Sequence, residues 1–475
     1  MSIGSIFNMA RTAMNAQQTA VQIASQNISN AETDGYSRQR VDLAASTPTV
    51  FPWGSIGTGV TIAGVSRARD ALLDATFRGD SASASAAQTT SDALSQIQGI
   101  FGEPSDNGLG ASLDAFWSAW GDLANDPTNS AAKSVVRQTG STVASTLNRF
   151  ARRLDSLDQS NREGMNADVT QINSLTSQVA TMNREIVGVE ATGNSANDLR
   201  DSRDKMLDQL SGLVGGQVVE RSNGAVAVYV SGRMLVDGAA VNSLEMNDGQ
   251  PPTVSFANSA NPLDGIGGSL GAKIDLSANR IPVVMARLDS MASGIVQTVN
   301  AIHSTGQIFT GNPPVASAAG NFFDVTIPPP AGGDPLLTAR GMRLSPSLAS
   351  ASDVAASGAS ATGPGNNDVA TALAALRDTA ITFTSGATTL GTSSASDFYR
   401  QTVSDLATST QQAQDDATVQ HTLASNADTR RQSVSGVSTD EELINIIQHQ
   451  HAYQAAARLV NVVDEMSQTL IDLGR

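Results

Sequence analysis

The chain contains no cysteine, which removes disulfides, thiolate metal sites and cysteine nucleophiles together and is compatible with either redox compartment. Lysine is almost missing, with Lys133, Lys205 and Lys273 its only members. Acidic residues outnumber basic ones by 45 to 29, giving a formal charge of −16. Counterion release on nucleic acid or an anionic membrane requires clustered Lys and Arg, so neither surface is an expected partner. The acidic excess is spread along the chain and reads as solubility and repulsion between free monomers. Aromatics are only 4%, so a core must rely on Ala, Val, Leu and Ile. No run approaches ~20 consecutive apolar residues, so nothing is expected to span a bilayer as a helix. The opening MSIGSIFNMARTAMNAQQTA lacks a cationic start, a continuous apolar stretch and a small-residue cleavage site. A Sec signal peptide is therefore not expected, and an extracellular destination would need another export route.

What the sequence does have is periodicity. Ile3, Phe7, Ala10, Met14, Gln17, Val21, Ala24 and Ile28 alternate spacings of four and three, an a/d heptad seam. Ala452, Ala456, Leu459, Val463, Met466, Leu470 and Leu473 repeat the pattern near the other end, after the cluster Leu443, Ile444, Ile446 and Ile447. Ser438 with Glu441, or Thr439 with Glu442, offers a capping box for that second helix. The first helix is expected to stop near Asn30, where Glu32 to Tyr36 is turn chemistry, and extended chain follows to about Gly64.

From Val65 to about Leu213 the pattern is helical, strongest at Val143, Leu147, Phe150, Leu154 and Leu157 and again from Val169 to Ile186. Asn161, Gly164 and Asp168 interrupt the seam, so this stretch is either two helices or one with a skip. From Val214, strand-like alternation and turn glycines signal a small β domain. Helix resumes from about Lys273 to His303, and 304–364 is low-complexity, with Pro328-Pro329-Pro330 and Gly332-Gly333, and reads as a loop-rich excursion. Helix returns over Val369 to Leu376 and from Asp397 to about Ser433. The expected fold class is mainly α with a β-rich insert, in a discontinuous multidomain chain that runs out along one axis and returns. Its length gives a soft prior of about three domains. The expected division pairs 1–55 with 435–475 as terminal coiled-coil helices and joins 56–212, 271–303 and 365–434 as a long helical rod. It leaves 213–270 as a small outer β domain and 304–364 as a loop-rich insert.

Catalytic chemistry finds little support. His449 and His451 sit two apart on a helix and point to different sides, unlike a chelating i,i+4 pair. Gly267-Gly268-Ser269-Leu270-Gly271 satisfies the short nucleophile-elbow pattern, which would make Ser269 the nucleophile of a serine hydrolase with Asp275 or Asp289 and His303. Those partners fall on one predicted helix and cannot supply separate converging loops, so the glycines are read as a tight return from the β insert. Asn197 to Asp204 alternates acids with Arg and reads as a salt-bridged helix face. Phe116, Trp117 and Trp120 read as helix-packing anchors. No cofactor and no metal is expected, and the chain is read as non-enzymatic.

Asn27-Ile28-Ser29-Asn30, followed by Thr33, Gly35-Tyr36 and Ser37-Arg38-Gln39, resembles the signature of the flagellar rod, hook and hook-associated axial protein family. The Ser-Arg-Gln extension leans toward its hook-associated protein 1 group. Phe116, Trp120, Leu123-Ala124 and Pro127 resemble a motif of that group's helical domain, and Asn197-Asp198-Leu199 with Asp201, Arg203-Asp204 and Leu210-Ser211 resembles another. Gly436-Val437-Ser438, Asp440-Glu441-Glu442, Gln450, Tyr453-Gln454-Ala455 and Ala457-Arg458 resemble the C-terminal signature. The resemblance covers both ends and most of the first half.

It implies a structural subunit of the bacterial flagellum at the hook–filament junction, extracellular and exported through the flagellar type III apparatus. The implied partners are a ring of like subunits, hook protein, hook-associated protein 3 and an export chaperone on the C-terminal helix. The expected assembly residues are Ile3, Phe7, Met14, Val21, Asn27, Ile28, Asn30, Gly35, Tyr36, Leu443, Ile447, Tyr453, Leu459, Val463, Met466, Leu470 and Leu473. The alternative from a different class is an intracellular coiled-coil scaffold that dimerises through its middle rods.

Overall fold

The computed structural model describes residues 3–103, 105, 108–325 and 337–473. The heptad pattern at the start forms α1 (Ile3–Ser29), which closes as expected through Asn30, whose amide bonds Gln26 O, and through a turn at Gly35 with φ +86°. The extended chain folds into an antiparallel ribbon of β1 (Gln39–Ala45) and β4 (Val60–Arg67), with a short hairpin, β2 (Thr49–Phe51) and β3 (Gly54–Ile56), between them. Asp70 then caps α2 (Ala71–Phe101) by accepting from the Leu72 and Leu73 amides, and Gly102 ends it in the left-handed region.

After α3 (Leu109–Asn125), Asn129 caps α4 (Ser130–Glu190), one unbroken helix of 61 residues. The polar skip is not a break. Asn161 donates to Lys273 O at 2.8 Å and Ser277 Oγ at 2.7 Å, and Asp168 accepts from Lys273 Nζ at 2.8 Å. These residues face a neighbouring helix where α4 passes from one apolar cluster to the next.

α5 (Asn197–Val214) leads into a four-stranded antiparallel meander of β5 (Gln217–Glu220), β6 (Val226–Val230), β7 (Arg233–Asp237) and β8 (Ala240–Val241), followed by the pair β9 (Leu244–Asn247) and β10 (Thr253–Phe256). The next helix starts earlier than expected, as α6 (Gly268–Asp275), and passes through a π-turn at Leu276–Arg280 into α7 (Ile281–His303). A hairpin of β11 (Gln307–Thr310) and β12 (Val315–Ala318) precedes α8 (Asp368–Ala375), and the chain closes with α9 (Ala395–Ser435) and α10 (Thr439–Leu473). The Pro328-Pro329-Pro330 and Gly332-Gly333 tracts lie outside the described residues.

Two expectations are corrected here. Between α8 and α9 the chain forms a hairpin of β13 (Ile381–Ser385) and β14 (Thr388–Ser393) where only helical rod was expected. Its alternation is carried by buried Ile381 and Phe383 between exposed threonines, a two-residue signal that is easily lost in a Thr/Ser/Gly-rich run. The loop-rich stretch after His303 is also no free excursion. Its Phe322, Phe323, Ala339, Met342, Leu348 and Val354 enter the main apolar cluster.

That main cluster gathers the C-terminal half of α2, α3, the start of α4, α7, α8, β13 and the start of α9 around Phe116, Trp117 and Trp120, which are the anchors they were read as. A second cluster packs Met165 to Ala180 of α4 and Leu207, Leu210 and Val214 of α5 against the inner faces of β6, β7, β9 and β10. α4 threads both. The middle rods thus bury most of their own apolar stripes within this chain. Among the described residues, neither cluster contains a member of α1 or α10.

His303 lies in the main cluster with both ring nitrogens committed, Nδ1 to Gly320 O at 2.7 Å and Nε2 accepting from the Ala355 amide at 3.1 Å. Burial holds its pKa down at about 4, so it stays neutral. Ser269 Oγ instead donates to Asp168 at 3.3 Å, so the elbow serine and this histidine do not form a dyad.

A Cβ on Gly140 of α4 would stand 2.6 Å from the Phe322 ring and 3.2 Å from that of Phe116. Gly140→Ala is expected to lower stability by about 1–3 kcal/mol through overpacking, despite better helix propensity, as measured by urea denaturation.

Candidate functional site

α1 and α10 lie along one another, and their contact face overlaps the expected seam only in part. On α1 the buried line is Ala10, Ala16, Ala20, Ala24 and Asn27, while Met14, Val21 and Ile28 are half-buried beside it and Phe7 is exposed. Ile3 opens the helix. Alanines form the seam because short side chains let two helix backbones approach closely. On α10 the side turned inward carries Glu442, His449, Tyr453, Ala456, Val460, Val463 and Ser467 at spacings of seven, four, three, four, three and four. His449 Nδ1 meets Gln17 Oε1 of α1 at 2.6 Å, and His451 is exposed.

The larger side chains of α10 point away from α1. Leu459, Val462, Met466, Leu470 and Leu473 recur at intervals of three and four, and all are exposed, Leu473 at 78%. Leu443, Ile444, Ile447 and Ile471 are exposed as well. α10 therefore has two stripes, an inner one packed on α1 and an outer, more apolar one that is largely exposed. Single exposed leucines are ordinary, whereas a contiguous stripe of this length marks an interaction surface.

Where the pair meets the rest of the chain, three stretches remote in sequence converge. Asn27, 1% exposed, is satisfied on every side. Its Nδ2 donates to Gln39 O at 2.8 Å and Glu442 Oε2 at 3.1 Å, and its Oδ1 accepts from Tyr36 Oη at 2.8 Å and the Gln39 amide at 3.0 Å. Glu442, equally buried, also accepts from Arg38 Nε at 2.7 Å, and the Arg38 amide donates to Ser435 O at the end of α9. Glu442 is therefore a tether and not the capping residue that the Thr439 alternative made it, while the Glu441 amide does donate to Ser438 Oγ at 3.4 Å. Asn30 Nδ2 donates to Gln26 O and its Oδ1 accepts from Thr33, fixing the end of α1. Gly35 sits against the Lys205 side chain, which pairs with Asp34. Burial, followed by the nearby carboxylates Asp198, Asp201 and Glu442, pushes Tyr36 up to about 12, so its hydroxyl remains a donor.

The third stretch is α5. Ser37 donates from its amide and hydroxyl to Asp201 at 3.1 and 2.7 Å, and Gln39 Nε2 donates to Asp198 at 3.0 Å. The charge run was expected to pair within its own helix face, but its carboxylates point at other elements. Arg67 of β4 meets Asp201 at 2.6 Å and Asp204 at 2.9 Å, and Arg69 meets Asp74 at 2.7 Å and Asp204 at 3.2 Å. Arg78 of α2 and Arg431 of α9 share Asp208 at 2.7 and 2.6 Å, with the Arg431 guanidinium 3.7 Å from the centre of the Phe77 ring. The cause is spacing: Asp198, Asp201, Asp204 and Asp208 fall three or four apart and line one side of α5. Sequence reading missed Arg67, Arg69, Arg78 and Arg431 as its partners, although that acidic spacing was a usable signal. Among the described residues no group of His, Asp and Glu could hold a metal ion, and no helix is long and apolar enough to cross a membrane.

Comparison with known proteins ties these stretches to named families. Residues 94–323 match the family described as flagellar hook-associated protein FlgK helical domain. Residues 7–36 match the flagella basal body rod protein family, and 430–473 match the C-terminal family of the flagellar basal body rod FlgEFG proteins. The chain is 32% identical to flagellar hook-associated protein 1 of Bacillus subtilis, over 98% of this chain and 97% of that one. It is 28% identical to flagellar hook-associated protein 1 of Salmonella typhimurium, over 65% of this chain and 58% of that one. In fold it is similar to the flagellar hook junction protein FlgK from Burkholderia pseudomallei, with a TM-score of 0.63 at 17% identity, covering 76% of this chain and all of that one.

Asp204 yields a prediction with a definite sign. Burial alone raises its carboxyl, but Arg69, Arg67 and Arg78 together outweigh that and hold it below the ordinary range. A depressed folded-state value stabilises the fold above the unfolded carboxylate pKa of about 3.9 and ceases to do so as pH falls through the folded value. Asp204→Asn is expected to cost about 3–5 kcal/mol in urea melts at pH 7, with the gap to wild type shrinking as pH drops below about 4.

Proposed function

The chain belongs to the flagellar hook-associated protein 1 family and is a structural component of the flagellum, and from that premise we propose that it forms the hook–filament junction by polymerising through α1 and α10. Proteins of the rod and hook families assemble into the flagellum with like subunits, and this chain carries their matches at both ends. The observation that carries the proposal is the outer stripe of α10 from Leu459 to Leu473, left uncovered beside an inner stripe already spent on α1.

Each fully buried Leu, Val or Met is worth about 1.5–3 kcal/mol, so five such side chains per subunit can offset an association cost of about 4–15 kcal/mol. Beyond the joint at Asn27 and Glu442, the free lengths of α1 and α10 lie outside both core clusters and pack chiefly on each other through small residues, and in this reading their full ordering is coupled to assembly. Residues 1–55 with 435–475 then form the inner tube wall, and 56–212 with 271–303 and 365–434 the rod around it. Residues 213–270 form the outer β-rich part and 304–364 the insert. Like copies form a ring with hook protein below and hook-associated protein 3 above. The subunit is extracellular, leaves through the flagellar type III apparatus, and has its C-terminal helix held by an export chaperone beforehand. Relatives of this kind are structural proteins, and no catalytic role enters the proposal.

The double variant Met466→Asp with Leu470→Asp is expected to be absent from isolated flagella, with motility lost and monomeric flagellin shed into the medium. Its urea stability should stay within about 0.5 kcal/mol of wild type, because both side chains are exposed. Normal incorporation of that variant would remove the outer stripe as the polymerisation surface. In the dilute wild-type monomer, limited proteolysis is expected to cut first within 1–30 and 445–475, and protected ends would contradict assembly-coupled ordering.

A further inference from the structure

Arg203 of α5 is 1% exposed, yet its guanidinium has no counter-ion in the chain. Its Nη1 donates to Asn183 Oδ1 at 3.2 Å and Gly224 O at 2.6 Å, both neutral acceptors. Its Nε meets no acceptor among the described residues. Arg67, Arg69 and Arg78 beside it each pair with a carboxylate, whereas Arg203, among the described residues, pairs with none. Burial holds its pKa down at about 10, and the more distant carboxylates of Asp204 and Glu220 do not restore it. An uncompensated buried charge is costly, so a guanidinium kept in this state points to an anion that comes from outside the chain.

Arg203 is part of the wall of a cavity of about 590 Å³ bounded by the end of β4, the first turns of α2, α5 and β5. Arg67, Arg69 and Arg78 share that wall, and Arg78 Nη2 is a second buried donor without a hydrogen-bond acceptor, 3.6 Å from Asp204. The carboxylates in the wall are Asp74, Asp204 and Glu220, one fewer than the guanidiniums. Asp74 is held by Arg69, Asp204 is shared by Arg67 and Arg69, and Glu220 pairs with Arg200. None is left for Arg203. Ala71 and Ala75 of α2 with Val218 and Val219 of β5 give the cavity an apolar side.

We propose that this cavity is a binding site for a small organic monocarboxylate, whose charge completes the arginine cluster at Arg203. The site is independent of the junction reading. One surplus guanidinium calls for a single negative charge, because a phosphate dianion would add repulsion against Asp74 and Asp204. A carboxylate matches the donor fork of a guanidinium, and the apolar side suits a carbon body attached to it. The volume lies in the range of roughly 300–1,000 Å³ usual for small-molecule sites and exceeds what one inserted side chain fills. Water could accept from these donors but brings no charge. Since the wall joins α2 and α5 of the polar joint to β5, an occupied site ties the outer β part to that joint.

The test titrates the purified full chain with sodium benzoate, against sodium chloride at matched ionic strength and against benzamide, the neutral isostere. Saturable heat in a calorimeter and a rise in unfolding temperature of about 2 °C are expected from benzoate up to about 50 mM, and neither from the two controls. Arg203→Met is expected to abolish both signals. Because that change also removes the bonds to Asn183 and Gly224, Val219→Glu is the second variant. It places a carboxylate on the cavity wall from a half-exposed position on β5, so it is expected to fold as wild type does and to lose the benzoate response. A wild-type chain with no saturable benzoate response, an equal response to chloride or benzamide, or a response undiminished in Val219→Glu overturns the proposal.

Discussion

A carboxylate taken out of water must be met by cations and donors, and this fold meets several of them at one place. Glu442 is held by Arg38 and Asn27, Asp201 by Ser37 and Arg67, Asp204 by three arginines, and Asp208 by Arg78 and Arg431. These residues come from α1, the turn after it, the β1–β4 ribbon, α2, α5, α9 and α10. No subset of those elements satisfies the network, because removing one partner strands a buried charge at a cost of about 3–5 kcal/mol. The out-and-back course of the chain is thereby specified by electrostatics. Residues near position 30, near 200 and near 440 reach their lowest free energy only when all three stretches are brought together.

A clear division follows between polar and apolar surfaces. The joint is a satisfied polar network, which contributes specificity of arrangement more than net stability, since two well-paired charges return about what their desolvation costs. The apolar material is kept in two interior clusters and on the outside of α10. A protein that needed only its own stability would bury Leu459, Met466 and Leu470 and expose Ala16 and Ala20; here the short residues are inside and the long ones outside. That inversion is what an intermolecular helix contact requires.

Much of this was legible in the sequence, and the remainder has identifiable physical causes. Heptad spacing gave the existence of α1, α4 and α10, and the switch at Val214 gave the β insert. The expected seam shares Ala10, Ala24, Ala456 and Val463 with the contact between α1 and α10, but that contact is shifted toward Ala16, Ala20 and Asn27, because close helix packing favours the small residue and a buried asparagine gains from four bonds. The β13–β14 hairpin was missed because threonines dilute its alternation, and Phe322 with Phe323 draws a low-complexity stretch into the core that composition alone had left outside. At the joint, the acids of α5 were noticed, but their cationic partners lie more than a hundred residues away, beyond the reach of any local pattern.

The continuity of α4 carries a mechanical consequence. Its 61 residues, at about 1.5 Å each, make a strut of roughly 90 Å whose backbone bonds run without interruption through both apolar clusters. A strut anchored at two separated points spreads a twisting load along its length instead of concentrating it at a pivot. The neighbouring α6–α7 helix, by contrast, has a widened turn beside Asn161, so of the two columns it is the one with compliance to spare.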